Sequence, residues 1–224
     1  MTCNNGRGNV WPRRARPVIH ASVKYRAVIF DAGNVLLKRS PPEILRAALT
    51  PGADFDRYLR GIFAPQRWLD LDRGVVEERD VVPEFAASLG TSDDEIAHIL
   101  SVARDSLVPL APGMQLLEEF AASGRDVFCL TNMSGETFAH LRAKYAFWTA
   151  FKGVVVSGHL KIAKPDPAIY RHTLETHRLD PATTLFLDDH LANVESARTL
   201  GITSVQYDGS DTCVAHVRAL ARLP

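Results

Sequence analysis

Apolar positions along the chain first cluster as a continuous run, then at helical spacing, then as runs and helical patterns in alternation. Ala27-Val28-Ile29-Phe30 is β-branched and aromatic, stops abruptly at Asp31, and predicts a buried strand over about 26–30. From there to about residue 107 no strand is evident. Segments 43–49, 55–63, 66–71, 82–89 and 93–107 carry apolar residues three and four apart, as amphipathic helices do. Thr91 or Ser92 followed by Asp93-Asp94-Glu95 is a helix start, with a hydroxyl cap and acids against the first-turn dipole. Beyond Pro109 and Pro112-Gly113, helices over 114–122, 135–145, 167–177 and 191–200 alternate with strands over 127–130, 153–156, 184–187 and 202–205. A last helix is expected over 212–223.

Strands separated by helices form parallel sheets, because each crossover helix packs back onto the sheet. The expected fold is therefore α/β: a Rossmann-like parallel five-stranded sheet with helices on both faces, plus an inserted all-helical cap after the first strand. Residues 25–39 and 109–224 would form the core and residues 40–108 the cap. A cap rooted there sits over the carboxyl ends of the strands, where it can exclude water and select substrates. Residues 1–24 are basic, with no acid and no apolar stretch of the kind a secretory signal has. They are expected to be a disordered arm, or translation from a start upstream of the true one, and are set outside the fold.

Composition narrows the function. Hydrophobic residues make up 46% of the 224, enough for a sizeable core. Lys plus Arg and Asp plus Glu balance at 26 each, so no global charge points to nucleic acid or an anionic membrane. Cys3, Cys129 and Cys213 are scattered and odd in number, which fits neither a disulfide framework nor a metal pattern and suggests the reducing cytoplasm. No apolar run approaches the ~20 residues that span a bilayer.

The chemistry lies at strand ends, where ligands of open α/β sheets bind. Asp31 ends the first strand, Thr131-Asn132 the second, and Asp188-Asp189 the fourth, while Lys164 stands in a Lys-Pro-Asp-Pro turn. Asp31 reads equally as a turn aspartate. Asp188-Asp189 is more telling, because adjacent carboxylates at the end of an apolar strand repel one another and call for a cation. Oxygen donors suit Mg²⁺. Thr131 and Asn132 can hydrogen-bond a phosphate without adding charge, or cap the following helix, a role better suited to Ser134. Lys164 would offset the gathered negative charge. His190 adjoins the acidic pair, and Trp68 reads as cap core ahead of substrate contact.

Phe30-Asp31-Ala32-Gly33-Asn34-Val35, Leu130-Thr131-Asn132, Lys164-Pro165-Asp166-Pro167 and Phe186-Leu187-Asp188-Asp189 occur in the order found in the haloacid dehalogenase superfamily, which the chain resembles from about Tyr25 to Tyr207. Within it the motifs look most like the branch of α-glucose-1-phosphate phosphatases and the phosphatase domain of soluble epoxide hydrolases. The resemblance implies Asp31 as nucleophile and Mg²⁺ held by Asp31, the Gly33 carbonyl and Asp189, with Asp188 close by. It also implies phosphate binding by Thr131 and Asn132, and Lys164 bridging the phosphoryl group to Asp31. The expected partner is a small phosphorylated metabolite, a sugar phosphate being favoured, with neither nucleic acid nor membrane involved. Most phosphatases of the superfamily carry a second Asp at the position of Gly33, as general acid and base. Its absence implies a leaving group that needs little protonation, or a substitute from the cap or His190. Two alternatives accompany this reading. One is a catalytically silent binding protein, which the loss at Gly33 suggests. The other is a 2-haloacid dehalogenase, against which the acidic pair speaks.

Overall fold

Five short apolar runs form one all-parallel sheet in the order β3-β2-β1-β4-β5. They are β1 (Ala27–Phe30), β2 (Asp126–Thr131), β3 (Gly153–Val156), β4 (Thr184–Asp188) and β5 (Thr203–Gln206). The computed structural model describes residues 24–64 and 66–223, so the expected basic extension, Lys24 apart, lies outside the described residues. The fold is the Rossmann-like α/β sheet with a helical cap inserted after the first strand.

Register sets where the site falls. Phe30 pairs with Cys129 on one side and Leu187 on the other, and the Asp31 N–H continues the ladder to the Leu187 carbonyl at 2.9 Å. Asp31 is therefore level with Asp188 on the next strand. The chain moves outward from central β1 in both directions, so β1 and β4 bracket the topological switch point, where open sheets bind ligands.

The insertion between Pro41 and Asp105 contains α1 (Pro41–Ala48), α2 (Phe55–Tyr58, running on into a π-helical turn Leu59–Phe63), α3 (Gln66–Arg73), α4 (Glu78–Leu89) and α5 (Asp93–Asp105). It has a core of its own, in which Ile44, Ile62, Leu71, Phe85, Ile96 and Ile99 are buried together. Ser92 is the α5 cap and accepts from the Glu95 N–H. One helix departs from the periodicity. α4 begins at Glu78, four residues before the expected Val82, and carries Pro83 inside it. Proline there removes one intrahelical donor, but a capping box between Glu77 and Asp80 secures the start.

The sheet is covered by α6 (Ala111–Ala122), α7 (Gly135–Lys144), α8 (Ser157–Leu160), α9 (Pro167–His177), α10 (Leu191–Thr199) and α11 (Asp211–Ala221). Alternate strand residues face opposite layers. Val28, Phe30, Val127 and Leu185 pack with Leu116, Phe120 and Val217, whereas Ile29, Phe128 and Phe186 pack with Ile169, Tyr170 and Ala197. The four-residue α8, immediately after β3, was not expected; it is too short to show a period. Among the described residues no helix is long and apolar enough to cross a membrane.

The loop after β1 is clamped from behind by α6. A Cβ on Gly113 would collide with the Val35 carbonyl, which is backbone and cannot turn aside. Gly113→Ala is expected to lower the free energy of unfolding by about 1–3 kcal/mol, the cost of overpacking a tight core. A denaturant midpoint that falls while the slope is unchanged would show it.

Candidate active site

Four loops converge at the carboxyl ends of the strands. Asp31 leaves β1, Asp188 and Asp189 end β4, Asn132 follows β2, and Lys164 comes from the loop before α9. The Lys164 ammonium is the centre of the group. Its Nζ lies 2.8 Å from Asp31 Oδ1 and 2.7 Å from Asp188 Oδ2, and donates to the Leu130 carbonyl at 2.9 Å. All three charged side chains are buried, Asp188 and Lys164 almost completely.

Each partner is held by a further contact. The Asn132 amide grips the Lys164 backbone, accepting from its N–H at 2.9 Å and donating to its carbonyl at 2.8 Å. Asp188 accepts from the His190 N–H at 2.9 Å and from the buried Asn193 amide at 2.8 and 3.1 Å. Asp189 accepts from Asn34 Nδ2 at 3.0 Å. Asn34 has a positive φ of 51°, which Asn tolerates better than most residues, and its Oδ1 accepts from the Arg39 N–H. These hydrogen-bonding roles of Asn34 and Asn193 were missed from sequence, although Asn34 stands in the first motif.

The electrostatics leave a deficit of positive charge. Carboxylate oxygens of Asp31, Asp188 and Asp189 all lie within 4.8 Å of one another, against a single ammonium. Burial pushes the Asp31 carboxyl up to about 7 despite the pull of Lys164, and Asp188 and Asp189 add to the rise. Burial opposes the Lys164 ammonium, yet Asp31 and Asp188 outweigh it and raise its pKa. An all-oxygen cluster with excess negative charge fits a hard divalent cation.

Beside the cluster a cleft opens between core and cap. Gly33, Thr131, Asn132 and Ser134 line its core side, and Arg39, Trp68, Asp72, Glu78 and Arg104 supply polar or aromatic groups towards the cap. Thr131 is buried at the end of β2, and Ser134 caps α7 by accepting from the Thr137 N–H. Gly33 sits at the cleft with nothing within 4 Å of where a Cβ would be. Trp68 is both cap core and cleft wall. His190 is largely exposed, its ring 3.8 Å from Asp189. The structure thus brings Asp31, Lys164, Asp188 and Asp189 into one cluster, and Gly33, Thr131 and Asn132 to the cleft beside it.

Comparison with known proteins gives the family and the fold. The family model described as haloacid dehalogenase-like hydrolase matches residues 25–201. A sesquiterpene phosphatase of Aspergillus oryzae is 29% identical over 191 residues, which are 85% of this chain and 94% of that protein. The drimenol cyclase of Aspergillus calidoustus is 31% identical over 189 residues, 83% of this chain, which spans only 34% of that longer protein. Among solved structures, a haloacid dehalogenase family enzyme of Bacteroides thetaiotaomicron, in complex with magnesium and inorganic phosphate, superposes with a TM-score of 0.64. It shares 20% identity, and the match covers 84% of this chain and 96% of that one, a likeness of fold.

Removing the central ammonium should expose the charge deficit. Lys164→Met leaves two buried carboxylates facing each other and is expected to destabilise the protein by roughly 3–5 kcal/mol, as breaking a buried ion pair does. Millimolar Mg²⁺ should recover part of that loss in a denaturation experiment.

Proposed function

The chain belongs to the haloacid dehalogenase-like hydrolases, and we propose that it is a Mg²⁺-dependent phosphatase that passes the phosphoryl group through Asp31. The observation that carries this reading is the cluster of Asp31, Asp188 and Asp189 around one ammonium. A divalent cation bound by Asp31, Asp189 and the Gly33 carbonyl, with Asp188 close by, would neutralise phosphate oxygens and allow a dianion to approach a carboxylate nucleophile.

In this reading one Asp31 oxygen attacks phosphorus while the other stays with Lys164. The ammonium keeps the nucleophile ionised and oriented, and bridges it to the phosphoryl group. Thr131 and the N-terminus of α7 supply neutral donors to the remaining oxygens. Asn132 has one amide hydrogen committed to the Lys164 carbonyl and a second for the substrate. Hydrolysis of the resulting aspartyl-phosphate restores Asp31. A silent protein would carry these buried charges without use, and displacement of halide from carbon has no need of a third carboxylate beside the nucleophile.

The motif resemblance favours a sugar phosphate. The cleft favours a more apolar ester, because Leu37, Ile44, Leu71, Leu100, Leu107 and Met133 give part of its wall an apolar face. The sesquiterpene phosphatase among the relatives supports the same choice. An isoprenoid monophosphate is therefore the substrate class that suits this cleft.

Two measurements test this. Hydrolysis of p-nitrophenyl phosphate should require Mg²⁺ and vanish in Asp31→Asn; retention of activity in that variant would remove Asp31 from the mechanism. Farnesyl monophosphate should be cleaved with a kcat/KM at least about tenfold above that of glucose 1-phosphate, since a few buried methylenes supply the needed ~1.4 kcal/mol.

A further inference from the structure

Expelling an alkoxide from phosphorus requires a proton, and Gly33 beside the nucleophile has none to give. The titratable groups around the site differ in their freedom to supply one. His190 is at the outer rim, 71% exposed and beside Asp189. Glu78 lines the cleft but is locked to the Arg104 guanidinium through both carboxylate oxygens. Asp72, at the C-terminal end of α3, faces the same cleft as Gly33, Thr131 and Asn132. Its carboxylate is the freer one. The Arg39 guanidinium pairs with it at 3.5 Å, a longer contact than the two-oxygen grip on Glu78, and 19% of the side chain stays exposed.

Asp72 is also fixed in position relative to the reacting cluster. Its carbonyl accepts from the buried Ser157 hydroxyl, and Ser157 Oγ accepts in turn from the Met133 N–H, two residues beyond Thr131. Two residues on, just past the end of α3, Gly74 packs so tightly on Gly158 that no Cβ fits between them. On the other side the Arg39 N–H donates to the Oδ1 of Asn34, whose Nδ2 donates to Asp189. The cap end of α3 is thereby anchored to the loops after β1, β2 and β3.

We infer that Asp72 is the general acid and base of this enzyme, delivered by the cap to the place beside Gly33 where the core carries no carboxyl group. The inference rests on the phosphatase reading above. When Asp31 attacks, the bond from phosphorus to the ester oxygen breaks, and that oxygen takes the proton of the Asp72 carboxyl to leave as an alcohol. In the second step the Asp72 carboxylate takes a proton from water. The water oxygen attacks phosphorus, the bond from phosphorus to Asp31 breaks, and inorganic phosphate leaves. Both side chains return to their starting forms. Burial pushes the Asp72 carboxyl up to about 6, with Arg39 offsetting part of the rise, so it can hold and release a proton near neutrality. The buried Trp68 indole N–H approaches the same carboxyl and adds a smaller pull to that of Arg39. The other charged groups on the cleft wall, Glu78 and Arg104, are paired with one another, and the Glu136 carboxyl lies against Glu78 and is raised by burial and by that neighbour.

The test is a series of phosphate monoesters with leaving groups from p-nitrophenol to a simple alcohol, read as kcat/KM in Mg²⁺. Wild type should depend weakly on leaving-group pKa. Asp72→Asn should lose about 10²–10⁴-fold on the alkyl ester, the usual worth of general acid catalysis, and little on p-nitrophenyl phosphate. Adding Gly33→Asp to Asp72→Asn should restore the weak dependence, since the space beside Gly33 is open. An equal loss across the series would mark Asp72 as structural and overturn the inference. So would a steep dependence in the wild type, a result that needs no variant to fold. Wild type inactive on every ester would overturn the phosphatase reading, and this inference with it; the other outcomes leave that reading intact.

Discussion

The site depends on one buried ammonium. Lys164 sits between Asp31 and Asp188, and neither carboxylate could be tolerated at such depth without it. Its position follows from the sheet. β1 and β4 are neighbours in register, so their first residues beyond the ladder stand side by side with like charges. A cation reaching between them must come from a third element, and the Asn132 amide fixes that element by holding the Lys164 backbone. The Leu130 carbonyl takes the remaining direction. Position is thus shared among β1, β2, β4 and the loop before α9. A change in any one of them is felt by the nucleophile.

A single ammonium does not balance the cluster. The surplus negative charge persists because the surrounding hydrogen bonds, from Asn193 and the His190 N–H to Asp188 and from Asn34 to Asp189, orient the carboxylates without neutralising them. Donors of that kind preorganise a carboxylate for an ion while leaving the site electrostatically unsatisfied. A structural ion network, by contrast, cancels its own charges.

Much of the core was legible because a buried parallel strand is a short uninterrupted apolar run, and a carboxylate at its end is conspicuous against it. Asp31, Asp188 and Thr131 are marked in this way. Lys164 was found from its Pro-rich turn. What could not be read was anything set by contact across the fold. Asn132 suggested phosphate binding by its chemistry, but its grip on the Lys164 backbone depends on two loops that meet only in three dimensions. Asp72 looks from sequence like one more acid on a charged helix, next to Asp70 and Arg73. Only the docking of α3 against Ser157 and Gly158 turns it towards the cleft. The early start of α4 was hidden by Pro83, whose cost the capping box at Glu77 offsets.

Placing the proton donor on the cap has a consequence for the reaction. A core carboxyl beside the nucleophile would be in place whether the cleft is open or closed, so water admitted to an open cleft would meet a complete catalytic set. A carboxyl on α3 completes the set only when the cap is seated. The contacts that seat it are mostly polar: Ser157 to the Asp72 carbonyl, Gly74 against Gly158, Arg39 between Asn34 and Asp72. Such an interface holds less firmly than the apolar cores on either side of it. An ester whose apolar body fills the cleft between Leu37 and Leu100 adds the missing burial and favours the seated state. Substrate shape and proton delivery are then coupled through the same surface, with the lone Gly at position 33 leaving room for the approach.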